Sequence, residues 1–394
     1  MQSTPQRRHR SRVALLLIGA SALVFGIASG TVVGASPSAI LRAASASAPA
    51  VRISMSSSTT STTPSTPTPT GVRPSTSSTT VRPGSTSTTV VGGRLLGCAV
   101  VPSVCGYPDG SNTGPGSGVV LRRVPSEVRS GSGWAWSDRL GGVQVTGTGA
   151  VLDGLDIAGA VVIDAPNVTV SNSRISACGG VDDTDVVAVR YKASDASYQG
   201  ANARVVRNVI VGTPAGCSHR ARSGVRDIYG SAPGMYVDGN NISGVGNGIT
   251  AEYEATVVNN WIHDLGHLAG DHHSGISSHG GAKQLVWKHN TVLLFGQSFP
   301  GGGGVSGALT VYADFGHAQN VRVEDNLISG GSYVVYGGNS GDSYSTPSTN
   351  VQFVSNRFVC NAWLYGPVAA FSASSPGNLW TDNYCDQNGT TVNS

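Results

Sequence analysis

Short apolar segments recur along most of the chain, and each is built in the same way. An apolar residue is followed by two variable residues, usually an asparagine, one more variable residue and a second apolar residue. Alternating apolar positions are typical of β-strands, because successive side chains of a strand point to opposite faces. The six-residue unit occurs at 152–157, 170–175, 205–210, 237–242, 257–262, 287–292, 323–328, 353–358 and 380–385.

This repetition predicts a solenoid, because such a repeat buries its apolar face only against its neighbours. The segments are rich in β-branched residues and no stretch has helical periodicity, which excludes helical repeats. The spacing between repeats varies widely, as it does in coils that carry loops of different length. The sequence therefore predicts an all-β fold, a single right-handed parallel β-helix of about nine coils over residues 143–386.

Asparagine occupies the turn position in seven of the nine repeats, from Asn208 to Asn383. Asparagine tolerates unusual backbone angles, and its amide carries both a hydrogen-bond donor and an acceptor. We expect these amides to bond one another from coil to coil, as a ladder inside one corner of the solenoid.

The repeats resemble the pectate-lyase-like superfamily of right-handed parallel β-helix proteins over residues 143–386. That resemblance implies a polysaccharide lyase, a glycoside hydrolase or a coil without enzyme activity. Two motifs typical of polygalacturonases are matched, by Asp182-Asp183 and by Ser278-His279-Gly280. The other two motifs are missing and the matched pair lies far apart in the chain, so the sequence does not support a polygalacturonase.

The N-terminal part of the chain has the composition of an export signal followed by a stalk. A basic region at 1–12 precedes an uncharged, mostly apolar segment at 13–34. This segment fits either a cleaved signal peptide or a membrane anchor, and the sequence leaves both open. Residues 35–92, rich in Ser, Thr and Pro, are interpreted as a stalk. We expect 93–142 to cap the first coil, because an open solenoid end exposes a sheet edge, and 387–394 to form a tail.

Charge is spread unevenly along the chain and argues against a nucleic-acid partner. Nine arginines and no acidic residue precede residue 95, so the net charge of +3 becomes −6 for residues 95–394. Nucleic-acid binding needs clustered Lys and Arg, which a mildly acidic domain does not supply. The expected partners are a polysaccharide and, if the N-terminal segment is uncleaved, a membrane. We expect a monomer.

Six cysteines lie beyond the stalk, and an even number in an exported chain indicates disulfides. Six cysteines allow fifteen pairings. We favour a local bridge in the predicted cap and two bridges that join cysteines just after the turns of successive coils. These pairs are Cys98–Cys105, Cys178–Cys217 and Cys360–Cys385.

A second set of strands precedes the repeat core in each coil, and its alignment places chemistry on the outer face. Aligning Gly248-Ile249 with Gly275-Ile276 sets Glu252 beside His279, about one strand spacing apart. A carboxylate next to an imidazole is an acid/base pair, so we predict a catalytic role for both. Arg226 and Tyr312 flank them, as predicted contacts for a substrate carboxylate and a sugar ring.

Six of the nine histidines fall between 263 and 289, around an insertion that carries further candidates. Asp271 and His272 are the second choice for a catalytic pair, and Glu254 and His273 are candidate substrate contacts. The sequence offers two candidate sites for a divalent metal ion. One is this histidine loop, and the other, for Ca²⁺, is the group of carboxylates at 182–185. The sequence assigns no cofactor with certainty. Aromatic platforms for sugar rings are candidates at Tyr312, Tyr333 and Tyr336.

The sequence thus predicts an extracellular protein, either secreted or anchored by its N-terminal segment. The first hypothesis is an exported polysaccharide-active enzyme, a lyase or a glycoside hydrolase, that works in a groove on the outer face of the β-helix. The alternative is a non-catalytic β-helix that binds glycans or has a structural role at the cell surface.

Overall fold

Three β-sheets wound into a solenoid make up most of the part of the chain that the computed structural model describes. The described residues all belong to one compact unit, Arg82–Ser394. They are 90–91, 94–179, 184–190, 200–228, 232–266, 272–294, 304–339 and 347–394. Among them, no helix is long and apolar enough to cross a membrane. The candidate export segment 13–34 and most of the stalk lie outside the described residues.

Each coil contributes one strand to each sheet, in the order sheet 1, sheet 2, sheet 3, and like strands of successive coils pair in parallel. Sheet 1 contains β4 (Ser130–Gly131), β5 (Trp134–Ser137), β6 (Gly142–Val145), β9 (Ala160–Ile163), β12 (Val187–Arg190), β15 (Ser223–Ile228), β18 (Asn247–Thr250), β21 (His272–Ser278), β24 (Gly304–Val311), β27 (Tyr333–Gly337) and β30 (Gly366–Ala369).

The other two sheets continue each coil after its first corner. Sheet 2 contains β7 (Val151–Asp153), β10 (Thr169–Ser171), β13 (Arg204–Val206), β16 (Met235–Asp238), β19 (Glu254–Val258), β22 (Gln284–Lys288), β25 (Gln319–Glu324), β28 (Thr349–Val354) and β31 (Leu379–Thr381). Sheet 3 contains β3 (Arg122–Val124), β8 (Leu155–Ile157), β11 (Arg174–Ser176), β14 (Val209–Val211), β17 (Asn241–Ser243), β20 (Trp261–His263), β23 (Thr291–Leu293), β26 (Leu327–Ser329), β29 (Arg357–Phe358) and β32 (Tyr384–Cys385).

The described strands therefore make nine coils, from β6–β8 to β30–β32, and the predicted right-handed parallel β-helix is confirmed. The short β1 (Val90–Val91) and β2 (Arg94–Leu95) form a separate antiparallel hairpin, and the 3-10 helix Pro102–Cys105 follows it.

Columns of apolar side chains from successive coils fill the interior. Val225, Ile249, Ile276 and Leu309 pair in register along sheet 1 and are fully buried. Burying one such side chain contributes about 1.5–3 kcal/mol. A strand slipped by one residue would turn its whole apolar set outward, so this burial holds the register that the sequence predicts.

The corner between sheets 2 and 3, here called the asparagine corner, contains the predicted amide ladder. Asn260 is typical: its Nδ2 donates to Oδ1 of Asn290 at 3.0 Å, and its own Oδ1 accepts from Nδ2 of Asn240 at 2.9 Å. The residue before each ladder position adopts a left-handed backbone, as His289 does with φ of 53°. Because the ladder amides are fully buried, these bonds replace contacts with water that folding removes.

The segment that the sequence assigned to a cap divides into two parts with different positions. Only 122–142 lies at the first coil, where β3 pairs with β8 and β5 pairs with β6. Residues 95–121, here called the strap, run along the solenoid from the last coil to the first. Hydrogen bonds of the strap mark its path at Asp386, Asp325 and Gly239, and Arg122, the first residue after the strap, donates its N–H to the Gly154 carbonyl. Of the segment 93–142 for which a cap is predicted, only the second part thus lies against the first coil.

A buried polar clasp holds the strap to the last two coils. The Asp386 carboxylate accepts from the backbone N–H groups of Cys98 and Ala99, both at 3.0 Å. Arg357 forms an ion pair with Asp386 at 3.2 Å and donates to the Leu95 carbonyl at 2.7 Å. A buried ion pair is stable only when the remaining donors and acceptors are also bonded, and this one has such partners.

All three predicted disulfides are present, Cys98–Cys105, Cys178–Cys217 and Cys360–Cys385. The first closes a loop within the strap, and the other two join positions on neighbouring coils. Disulfides persist in oxidising compartments, so these bridges agree with an extracellular location.

Candidate functional site

Glu252 and His279 lie side by side at the corner between sheets 1 and 2, here called the dyad corner. Oε1 of Glu252 lies 2.6 Å from Nδ1 of His279, and Oε2 accepts the backbone N–H of His279 at 2.8 Å. Both carboxylate oxygens of Glu252 are thus bonded to His279, on the next coil. This geometry holds the imidazole in one orientation and places the ring proton on Nδ1, where the carboxylate accepts it.

The dyad forms because β18 and β21 pair in register up to the residues just before it. Ile249 pairs with Ile276 and Thr250 with Ser277, so Glu252 and His279 are the second residues beyond the last paired ones. Gly248 precedes this pairing, and a Cβ there would overlap the carbonyl oxygen of Gly275. The glycine of the repeated Gly-Ile pattern therefore permits the close strand approach that brings the two side chains together.

The dyad is only partly exposed, which differs from the solvent-facing position expected from the sequence. The side chains of His279 and Glu252 are 27% and 14% exposed. Burial opposes protonation and is the largest influence on the pKa of His279. The charge of Arg226 also lowers this pKa. The pKa nevertheless lies above its ordinary value, because it is raised more strongly by the hydrogen bond and charge of Glu252 and by the charge of Asp314. The imidazole is therefore protonated to a higher pH than a free histidine.

His263 and His289 also contact a carboxylate, and both have their second ring nitrogen occupied. His263 contacts Asp264 at 2.6 Å and the side-chain oxygen of Asn241 at 2.9 Å. His289 contacts Asp325 at 2.8 Å and the carbonyl oxygen of Gly106 at 3.1 Å.

His279 differs from both, because no group in the described part of the chain forms a hydrogen bond with its Nε2. An imidazole with one nitrogen held by a carboxylate and the other available can exchange a proton with a bound molecule. Compared with His263 and His289, His279 therefore has the geometry of an acid/base group.

A row of aromatic rings continues from His279 along the outer face of sheet 1. The His279 ring lies 5.9 Å from Tyr312 and 5.8 Å from Phe315, between ring centroids. The row continues over coils 7 to 9 through contacts of 5.3–5.7 Å: Tyr312–Tyr336, Tyr336–Tyr333 and Tyr333–Tyr365. Phe315 and Tyr365 are 79% and 68% exposed. A group of exposed rings on one face is a typical feature of binding surfaces.

Tyr312 is the most buried ring of this row, and hydroxyl groups of sheet 1 form hydrogen bonds with its own hydroxyl. Burial, the largest influence, raises its pKa to about 12 although hydrogen bonds with Ser306, Ser274 and Thr310 act against it. Tyr312 therefore remains a neutral phenol at ordinary pH, with its hydroxyl bonded to other hydroxyl groups and its ring against His279. Its position supports a packing role beside the dyad.

Arg226 lies on sheet 1, on the coil that precedes Glu252. Arg226, on β15, lies 3.8 Å from Asp185, and its side chain is 24% exposed.

His273 is only 5% exposed, with Nε2 2.9 Å from Arg220. The burial of His273 argues against the direct substrate contact expected from the sequence, because a bound chain would lie on the surface.

The remaining sequence candidates do not gather around the dyad. Glu254 lies across the corner on β19 and pairs with Lys283 at 2.9 Å. His272 is exposed at the start of β21, at the opposite end of that strand from His279. Its predicted partner Asp271 lies outside the described residues, and so do Asp182 and Asp183 of the candidate Ca²⁺ site. The third carboxylate of that candidate, Asp185, is buried and lies 3.8 Å from Arg226. No group of three His, Cys, Asp or Glu residues in the described ranges can hold a metal ion.

Two of the cavities on the described surface are lined by residues other than the dyad. One of about 290 Å³ lies on sheet 2 between Lys283, Arg322 and Gln352. The other, of about 320 Å³, lies between the strap and the asparagine corner, next to Arg207 and Asp238.

Asp314, Phe315 and Tyr365 are parts of this surface that the sequence analysis missed. All three lie outside the six-residue repeat, so the pattern that predicts register is silent about them. The only available signal was position, since Asp314 and Phe315 follow closely after Tyr312.

Comparison with known proteins gives no assignment. No protein-family model and no curated protein sequence matches the chain. Among solved structures, the catalytic unit of a GH87 α-1,3-glucanase from Streptomyces thermodiastaticus is similar over 63% of this chain and 51% of its own, with 14% identity and a TM-score of 0.36.

Two tailspike proteins show similarity of the same order. The Dettilon tailspike is 16% identical, with 61% of this chain and 54% of its own covered and a TM-score of 0.31. A tailspike of Acinetobacter baumannii bacteriophage Fri1, a capsular polysaccharide depolymerase, is 12% identical, with coverage of 59% and 52% and a TM-score of 0.29. This chain spans about half the length of each, and at these scores no activity can be inferred from the similarity.

Proposed function

We propose that this protein is an exported enzyme that cleaves a polysaccharide at the dyad corner. The observation that carries the proposal is the available Nε2 of His279, on an imidazole whose other nitrogen is held by Glu252. Such a pair donates or accepts a proton at a glycosidic oxygen or a ring carbon. Glu252 is the positioning residue, and His279 is the catalytic residue.

The aromatic row supplies the binding half of the proposed site. The flat faces of sugar rings carry C–H groups that pack on aromatic rings, and the row from Phe315 to Tyr365 extends along the solenoid axis. A polymer on this row would extend from His279 toward the last coil. Arg226 lies on the opposite side of the dyad and would face the part of the polymer beyond the cleaved bond.

A screen of the full-length chain against a panel of polysaccharides tests the proposal. New reducing ends indicate cleavage, and ultraviolet absorbance of unsaturated products separates a lyase from a hydrolase. The wild type and the matched control His263→Gln should cleave the same polysaccharide, whereas His279→Gln should not. Equal activity of all three proteins would contradict the assignment of the dyad.

The second candidate is glycan binding without catalysis, and the exposed rings of the aromatic row favour it. This function predicts binding in affinity electrophoresis without new ends. Tyr336→Ala would weaken that binding and His279→Gln would leave it unchanged.

A further inference from the structure

The proposed dyad lacks one group that glycoside hydrolysis requires. A hydrolase needs an acid to protonate the leaving oxygen and a second group that activates water or stabilises the sugar cation. Glu252 cannot fill the second role, because both of its oxygens are bonded to His279. A hydrolase at this corner would therefore take its second group from a neighbouring element.

The next coil brings such a group to the dyad. The dyad corner of coil 7, at 312–318, is longer than that of coil 6, at 279–283. The extra length projects outward, because Tyr312 N–H donates to the Ser278 carbonyl at 2.9 Å and Gly281 N–H donates to the His317 carbonyl at 2.8 Å. These two bonds hold the ends of the longer corner against the shorter one.

Asp314 lies in the middle of that projection, beside the histidine. The next residue, Phe315, donates its N–H to the His279 carbonyl at 2.9 Å, and its ring lies 5.8 Å from the imidazole. Gly280 has φ of 102°, and a Cβ there would overlap the carbonyl of Gly316. The two corners can approach this closely only because both positions are glycine.

The charge of Asp314 reaches the imidazole without displacing Glu252. Glu252 makes the direct hydrogen bonds to His279, whereas Asp314 acts on it as a charge. The imidazole thus has a bonded carboxylate on the coil 5 side and a second acidic group on the coil 7 side.

We infer that Asp314 is a second catalytic group and that the reaction is hydrolysis. The inference rests on the proposed function. The glycosidic C–O bond breaks, its electron pair stays on the leaving oxygen, and that oxygen takes the Nε2 proton of His279. The oxygen of a water molecule bonds to the anomeric carbon, and the Asp314 carboxylate takes its proton. Water is added across the bond and nothing is oxidised or reduced.

The test compares Asp314→Asn and Asp314→Ala with the matched control Asp264→Asn, which changes another carboxylate beside a histidine. On the polysaccharide found by the screen, both Asp314 variants should lose at least about 10²-fold in turnover, and the control should retain it. Added formate should restore part of the activity of Asp314→Ala, because a small carboxylate can take the place of the missing one. Rescue also shows that the variant is folded.

Unsaturated products, or full turnover in Asp314→Asn, would overturn the inference and leave the proposed function intact. Lost turnover without formate rescue would also overturn it. A protein that cleaves none of the polysaccharides would contradict both the inference and the proposed function. A readout independent of activity is the NMR titration of ¹³C-labelled His279. Its pKa should fall in Asp314→Asn and stay unchanged in Asp264→Asn, and an unchanged value in both variants would refute the placement of Asp314.

Discussion

The dyad corner and the asparagine corner each hold a histidine against a carboxylate of a neighbouring coil, at 2.6 Å and 2.8 Å. In both pairs the pKa of the histidine is raised. At the asparagine corner the strap covers the pair. The Gly106 carbonyl oxygen forms a hydrogen bond with Nε2 of His289, and the Tyr107 ring stacks on the imidazole with 4.8 Å between ring centroids. A histidine–carboxylate pair is therefore structural where both imidazole nitrogens form hydrogen bonds. It is available for proton transfer where one nitrogen has no hydrogen-bond partner.

The two corners also differ in regularity. The asparagine corner repeats one short turn from coil to coil, with a left-handed residue before each ladder position. The dyad corner lengthens from 279–283 in coil 6 to 312–318 in coil 7. A constant corner stacks and stabilises, whereas a variable corner can place side chains that the repeat does not dictate. The candidate site lies at the variable corner.

Exchanging the two histidines for glutamine gives the largest contrast. His279→Gln should lower turnover by about 10²- to 10⁴-fold, because glutamine cannot carry the transferred proton. His289→Gln should leave turnover within about twofold. Initial rates on the polysaccharide found by the screen measure both. Comparable losses in the two variants would show that the comparison between the corners is mistaken.

Breaking the clasp of the strap should affect stability and spare catalysis. Arg357→Met leaves Asp386 buried without its cation, which typically costs about 3–5 kcal/mol. Chemical denaturation measures the free energy of unfolding, and turnover below the unfolding transition should match the wild type. Lost turnover in a folded Arg357→Met protein would mean that the strap acts on the dyad corner.

Replacing Glu252 by glutamine should change the pH profile as well as the rate. The raised pKa of His279 depends on Glu252, so the variant should lose its protonated imidazole at a lower pH. If His279 is the acid, the high-pH limb of turnover moves to lower pH, and the rate at the optimum falls by about 10- to 10²-fold. Of the other groups that face this imidazole, the charge of Asp314 also raises the pKa and remains in the variant, whereas the charge of Arg226 lowers it. The shift then reports the loss of Glu252 alone. An unchanged limb would assign it to another group.

The smallest effect concerns the pH dependence of stability at the asparagine corner. The Asp325 hydrogen bond raises the pKa of His289, so this contribution is present below the ordinary histidine pKa and is lost as pH rises through the raised value. Burial opposes the charged form of Asp325, but its bond to His289 lowers the pKa, so that contribution is lost only as pH falls through the lowered value.

Stability from this pair is therefore greatest between the two ordinary pKa values, at roughly pH 4 to 6.5. Because the pair is partly exposed, its worth should not exceed about 1 kcal/mol. Urea denaturation of wild type and His289→Gln at pH 5.5 and 8.5 measures it, and the two proteins should differ more at pH 5.5. A larger difference at pH 8.5 would contradict the sign.

Register was predictable from the sequence because it follows from a repeated local pattern. Aligning Gly248-Ile249 with Gly275-Ile276 correctly placed Glu252 beside His279, and the same counting paired the cysteines. The aromatic row was predicted only in part. Tyr312, Tyr333 and Tyr336 lie on or next to strands, but Phe315 and Tyr365 lie on corners whose course the repeat does not determine.

The sequence by itself determined the β-helix, its nine coils, the amide ladder and the adjacency of the dyad. All of these depend on side chains that alternate with a period of two and on coils that stack in register. Only the tertiary structure decided which histidine has an available nitrogen. Nε2 of His289 is bonded to Gly106, 183 residues away along the chain, because the strap crosses that corner. The path of a segment without a repeat depends on contacts distant in sequence, and no local pattern encodes it.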